Sequence, residues 1–246
     1  MDRMIYTALT GMDAAMTRQR AIASNLANAN TPGFRAETFA TQPMHIRGST
    51  FDVRGLAQGA VRGADLSPGT TIDTGRSLDI AVNGTALIAF QNPAGEEVYS
   101  RRGDLAINPA GMLMNGEGLQ VMGAGGPISV PPGWDISFGA DGTVLAADPA
   151  VPDAEPQEVG RIKLASAAGS AVAKDLDNQL RVVGGGVLPA DIEARITPGA
   201  LEQSNVDSAG TLVAMIDAQR AFETRVKLIS TAEQLDQASS RLMSIR

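Results

Sequence analysis

The chain has 246 residues, room for one or two domains, and carries 27 acidic against 20 basic side chains, a net charge of -7. That balance opposes phosphate-backbone binding, so no nucleic-acid partner is expected. Cysteine is absent and His45 is the only histidine, which excludes thiol chemistry, disulfides and zinc sites built on His and Cys. The longest apolar runs, such as Ala86–Phe90, fall far short of the ~20 residues that span a bilayer, so no membrane insertion is expected. Thr7, Thr10, Gly11 and Asp13 interrupt the N-terminus, and no cleavable secretory signal is expected.

The first 35 residues carry a net charge of +2 and residues 200–246 a net of -1, which leaves -8 for the middle. Ile5, Leu9, Met12, Met16, Gln19, Ala23 and Leu26 alternate spacings of four and three, which predicts one N-terminal helix with a coiled-coil-like seam. Asn28 to Gly33 then carries the stop signals, Asn for the left-handed conformation and Pro32 to end the helix. Residues 36–76 scatter Gly, Thr and Arg and read as an extended connector.

From residue 77 to 199 short apolar runs alternate with turn dipeptides: Asn83-Gly84, Ala94-Gly95, Ala110-Gly111, Asn115-Gly116 and Asp141-Gly142. No amphipathic helix interrupts them, so antiparallel hairpins are expected. Asp148–Pro156 reads as an acidic, Pro-rich surface loop. A second long helix is expected over roughly 205–244, capped within Ser204–Asp207. Its stripe is Leu212, Met215, Gln219, Phe222, Val226 and Ile229, continued after a phase shift through Leu235 and Leu242. The fold class is therefore α+β: long terminal helices pairing as a coiled coil, a central and mainly antiparallel β domain, and an extended connector. The domains are 1–35 with 200–246 for helical assembly, 36–76 as connector, and 77–199 as a β-rich outer domain. The helical stripes are narrow enough to suit another helix, in the same chain or a neighbouring copy.

The sequence offers no catalytic, metal or cofactor site. Gly116-Glu117-Gly118 and Gly123-Ala124-Gly125 lack the third glycine and the helix of a phosphate loop. Asp79, Asp104 and Asp141 lie in or beside hairpins and read as solvated turn carboxylates. Trp134 reads as the cap of a sheet edge rather than a sugar platform, and the Arg101-Arg102 pair as ion-pairing partners.

The run Asn25-Leu26-Ala27-Asn28-Ala29-Asn30-Thr31-Pro32-Gly33-Phe34 resembles the signature of bacterial flagellar basal-body rod and hook proteins, N-L-A-N-x-x-T-x-G-F. Leu201–Asp207 and Met215–Glu223 resemble that family's C-terminal end, and Leu78–Gly84 and Tyr99–Leu105 its central β domain. The opening Met1–Met12 is most similar to its proximal-rod members. Thr85-Ala86-Leu87-Ile88 stands where the family usually has Asp-Gly-Phe-Phe.

The resemblance implies a non-enzymatic subunit of the rod, exported by the flagellar type III apparatus, assembling beneath a rod-cap protein with copies of itself and other rod proteins. Its terminal helices would line a hollow shaft. The alternatives are a distal-rod or hook-type subunit and, in another class, a secreted carbohydrate-binding or hydrolytic β domain. The implied assembly junction is Asn25, Leu26, Asn28, Asn30, Thr31, Gly33 and Phe34, and the implied subunit interface is the two helical stripes. Asn25 and Asn28 are expected to satisfy backbone groups at the helix end, and Gly33 a conformation closed to other residues. Gly33→Val is expected to block assembly with the β domain still folded.

Overall fold

The computed structural model describes residues 2–47, 52–151, 155–175 and 177–244. It is α+β, with a helix at each end and antiparallel strands between. The chain forms two compact units: Met1–Ala27, Glu37–Gly63 and Asp207–Arg246 make a helical unit, and Asn28–Ala36 with Ala64–Val206 a β unit. These boundaries differ from the domains read in the sequence, because the signature after the first helix and the segment before the last helix both belong to the β unit.

In the helical unit, α1 (Asp2–Ala27) and α2 (Ser208–Ser244) accompany a two-stranded ribbon of β1 (Glu37–Arg47) and β2 (Asp52–Ala64). The stretch expected as a connector is thus largely strand. Asp207 caps α2: its Oδ1 accepts the Ala209 N–H at 3.1 Å and its carbonyl the Thr211 N–H at 2.9 Å. The helix starts three residues later than expected, because Asn205 is held in the β unit.

The helices contact each other. Ala14, Ala15, Ala21 and Ile22 of α1 are buried, as is Ala218 of α2. Large members of the expected seam face outward instead: Leu9 is 56% exposed, Met16 40%, Leu212 49% and Val226 42%. Met12, Met215, Phe222 and Ile229 are half-buried and Gln219 is exposed. Alanine faces let two backbones approach closely, which a Leu/Met seam between them would prevent. The side chains of Ile5, Leu235 and Leu242 lie outside the described residues.

In the β unit the strands are β3 (Thr71–Asp73), β4 (Ile80–Val82), β5 (Leu87–Gln91), β6 (Glu97–Ser100), β7 (Leu105–Ile107), β8 (Leu113–Asn115), β9 (Gln120–Gly123), β10 (Gly126–Pro127), β11 (Asp135–Phe138), β12 (Thr143–Ala147), β13 (Gln157–Arg161), β14 (Leu164–Ala165), β15 (Val172–Lys174), β16 (Leu180–Val182), β17 (Ile196–Pro198) and β18 (Ala200–Glu202). The main sheet runs β15-β16-β6-β5-β9-β8-β7, with β10 on β9 and β14 on β5; β11-β12-β13 form a second sheet. Two further pairs bring late chain to early chain: β17 on β4, with Ile196 opposite Val82, and β18 on β3, with Leu201 opposite Ile72.

β5 shows why this domain is closed. Successive side chains of a strand point to opposite faces. Ile88 and Phe90 enter one apolar cluster with Val98, Val121 and Leu113, while Leu87 and Ala89 enter another with Tyr99, Leu180 and Leu188. Both faces of the strand are therefore covered, and Leu87-Ile88 packs well in place of the family's aromatics. Four of the expected turn glycines, Gly84, Gly95, Gly111 and Gly142, have positive φ; in the Asn115 turn that role falls to Gly118 instead of Gly116.

Candidate assembly junction

The signature segment leaves α1 through tight turns: the Thr31 N–H donates to the Asn28 carbonyl at 3.1 Å and the Phe34 N–H to the Thr31 carbonyl at 3.3 Å. The Thr31 hydroxyl also donates to Asn28 Oδ1. Gly33 has φ +68° and donates its N–H to the Glu202 carbonyl at 2.7 Å. A Cβ on Gly33 would stand 2.3 Å from the Arg101 carbonyl carbon and the Arg102 nitrogen. Conformation and space both demand glycine here. Phe34 is buried, and Lys174 Nζ sits 3.2 Å from its ring centroid while donating to the Arg35 carbonyl at 2.9 Å.

Behind this turn lies a buried carboxylate. Glu202 accepts from Arg35 Nη2 through Oε1 and from Arg101 Nε through Oε2, each at 2.6 Å. The Gly69 N–H adds a third bond to Oε1 at 2.7 Å. The three side chains are each only 2% exposed. Arg101 reaches on to the carbonyls of Gly84, at 2.5 Å, and Val82. Burial pulls the Arg101 guanidinium below its ordinary pKa; Glu202 opposes this and the like charge of Arg35 adds to it. Arg35 Nε and Nη1 are buried with no hydrogen-bond partner among the described residues. A cluster of this kind adds little net stability over an apolar replacement, but it selects which segments meet.

Asn205 makes the second tie. Its Oδ1 accepts the Ala36 N–H at 2.7 Å, and its Nδ2 donates to the Asp65 and Ser67 carbonyls at 2.9 and 3.0 Å. Four separated stretches of the chain, near 35, 67, 101 and 203, are thereby held in one corner.

The sequence reading placed the junction at Asn25–Phe34, and the structure divides it. Asn28, Asn30, Thr31, Gly33 and Phe34 belong to the β unit; Asn25 and Leu26 end α1 in the helical unit. Asn25 does not cap its own helix. Its Oδ1 accepts the Glu37 N–H at 2.7 Å and its Nδ2 donates to the Glu37 carbonyl at 3.1 Å, fastening the start of β1 as a neighbouring strand would. Leu26 is half-buried and Asn30 exposed. Glu202 and Asn205 enter the sequence reading only as members of the Leu201–Asp207 run, and Arg35 only as a charge, since nothing in the sequence marks one Glu among so many as buried. The expectation for Gly33→Val also changes: its side chain would collide with the backbone of the β unit, so that unit cannot remain unaffected.

Other candidate chemistry resolves into structure. Arg102 pairs with Asp104 at 2.6 Å and Glu117 at 3.1 Å, so both members of the Arg101-Arg102 pair are ion-paired as expected. Asp141 Oδ1 accepts the Thr143 hydroxyl and N–H within its turn. Asp79, expected in solvent, is instead buried and accepts the Thr74 hydroxyl at 2.8 Å. A cavity of about 350 Å³ lies beside Glu97, but that carboxylate already receives Lys163 Nζ at 2.6 Å and the Tyr99 hydroxyl at 2.8 Å. No aromatic ring lines it, and Trp134 packs against the core elsewhere.

Comparison with known proteins meets this geometry at its ends. The family model for flagella basal body rod protein matches residues 5–35, that for the flagellar hook protein FlgE/F/G D1 domain residues 81–146, and that for the flagellar basal body rod FlgEFG protein C-terminal region residues 197–242. A terminal helix leading into a shared corner, on either side of a β domain, thus defines an axial protein of the rod and hook class. Over the whole of both chains it is 38% identical to the flagellar basal-body rod protein FlgF of Escherichia coli and 37% identical to that of Salmonella typhimurium. It is 29% identical to FlgG of Caulobacter vibrioides over 98% of this chain and 99% of that one. The chain belongs to the flagellar basal-body rod protein family, as a FlgF-like member.

Two outcomes are expected at the junction. Glu202→Ala leaves two buried guanidinium groups without a counter-charge and lowers the stability of the full chain by about 3–5 kcal/mol. A urea melt reads this directly, and a loss under ~1 kcal/mol would show that the carboxylate does not hold the corner. Gly33→Val is expected to lower the melting temperature of the β unit as well as to block assembly; an unchanged melt would contradict the contact with Arg101.

Proposed function

We propose that this chain is a structural subunit of the flagellar basal-body rod, in its proximal part, which assembles through its terminal helices into a hollow axial shaft. One observation carries the reading. Both faces of β5 are covered inside the β unit, while α1 and α2 alone carry seven of the twelve exposed large apolar side chains among the described residues: Leu9 and Met16 on one, Leu212, Val213, Ile216, Val226 and Leu228 on the other. Isolated exposed apolar residues are ordinary, but recurring ones on two helices form a surface suited to other helices.

The partners are then copies of this chain and other rod proteins, met through the stripes. Its route is the type III export apparatus, and its growth site lies beneath the rod cap. The rod crosses the periplasm, and the role needs no catalysis and no cofactor. The sister positions, distal rod and hook, use the same architecture; the full-length similarity to FlgF favours the proximal one.

Replacing both Leu212 and Val226 by Ser is expected to leave the urea midpoint of the β unit unchanged while the protein disappears from purified basal bodies. Normal incorporation of that variant would overturn the role of the stripe. Amide hydrogen exchange gives an independent check. Residues 7–27 and 208–234 are expected to exchange quickly in free protein and slowly within isolated basal bodies, because a short apolar seam holds a lone helix pair weakly. Equal protection in both states would mean that the helices gain nothing from assembly.

A further inference from the structure

Charge is divided unevenly between the two units. The β unit carries 18 acidic and 9 basic side chains, the helical unit 9 acidic and 11 basic. Within the helical unit, Arg18 of α1 and Arg225 of α2 line one cavity of about 80 Å³. Its other walls include Gly11, Ala14, Ala218 and Phe39, and no acidic side chain lines it. The Arg225 guanidinium lies across α1 at Gly11, where an added Cβ would stand 3.9 Å from Nε. Neither arginine has an acidic residue three or four positions away on its helix. Among the described residues neither is in a salt bridge.

Two arginines lining one small cavity bring like charges together, and an anion placed between them reverses the sign of the interaction. The planar fork of each matches a carboxylate. The cavity accepts a group of a few atoms and is far below the 300 Å³ or more of a typical small-molecule site.

We propose that this cleft is a socket for a carboxylate, an Asp or Glu side chain from the β unit of a second copy of this chain. The proposal rests on the reading of the chain as a rod subunit. Charge complementarity selects the partner. The acidic surplus lies in the β unit, where Asp135, Glu155, Glu158 and Glu193 are exposed, whereas another helical unit would bring further arginines. The contact is heterologous, with socket on one copy and carboxylate on the next. Such a contact propagates along a series of subunits instead of closing a pair.

Arg225→Lys tests it, since it keeps the charge and supplies an amine. A carbodiimide activates a neighbouring carboxyl as an O-acylisourea; the amine attacks, an amide forms and the urea leaves. Basal bodies are purified from cells whose only copy is wild type or Arg225→Lys. The presence of the wild-type chain in them decides the rod reading by itself. For the socket, the expected product has twice the monomer mass, with position 225 joined to an acidic residue within 64–206, and its yield falls severalfold as sodium chloride is raised. A link confined to one chain, a link to Asp217 or Glu223 of another copy, a link to a different rod protein, or no link at position 225 overturns the proposal. So does exclusion of Arg225→Lys from basal bodies that accept the wild type, because a lysine preserves the charge on which the socket depends.

Discussion

A single carboxylate organises the molecule. Glu202 is withdrawn from water between Arg35 and Arg101, and the Gly69 N–H takes a remaining lone pair. A charge buried to this degree is tolerable only when its partners are all in place. The segment after α1, the segment before α2 and the turn after β6 must therefore arrive together. The backbone repeats the constraint, since the Glu202 carbonyl receives the Gly33 N–H. A chain whose ends lie far apart in sequence is thereby given one fixed corner.

That corner separates two kinds of stability. Inside the β unit, apolar side chains on both faces of β5 are covered by neighbours in the same chain, and the cluster is complete without a partner. Among the described residues of the helical unit the buried side chains are chiefly alanines, which remove little apolar area from water. Leu9, Met16, Leu212 and Val226 remain outside. Such a division fits a subunit that keeps one part folded at all times and completes the other on assembly. The junction belongs to the folded part.

Parts of this were legible in the residues. The helices, the antiparallel middle and most turn glycines follow from period and turn chemistry, which are local. Gly33 was legible as a conformational requirement, but its collision with Arg101 was not, because that neighbour comes from 68 positions away. Asn25 stands where a helix cap is expected and instead fastens β1. The side-chain amide has the same donor and acceptor in either role, and only the path of the chain after the turn chooses between them. Periodicity shows which residues share a face and says nothing of which face a neighbouring helix takes, so Leu9 and Leu212 stay exposed while Ala14 and Ala218 are buried.

By itself, then, the sequence determined the family, the two terminal helices and the antiparallel middle between them, since these rest on short-range spacing, on stop signals such as Asn28–Gly33, and on a signature that survives as a string. Only the tertiary structure decided that the corner belongs to the β unit, that Glu202 is its buried centre, and that alanines pair the helices while Leu9 and Leu212 stay in water. Burial and ion pairing depend on residues distant along the chain, and one glutamate reads like another until the fold has removed the water around it.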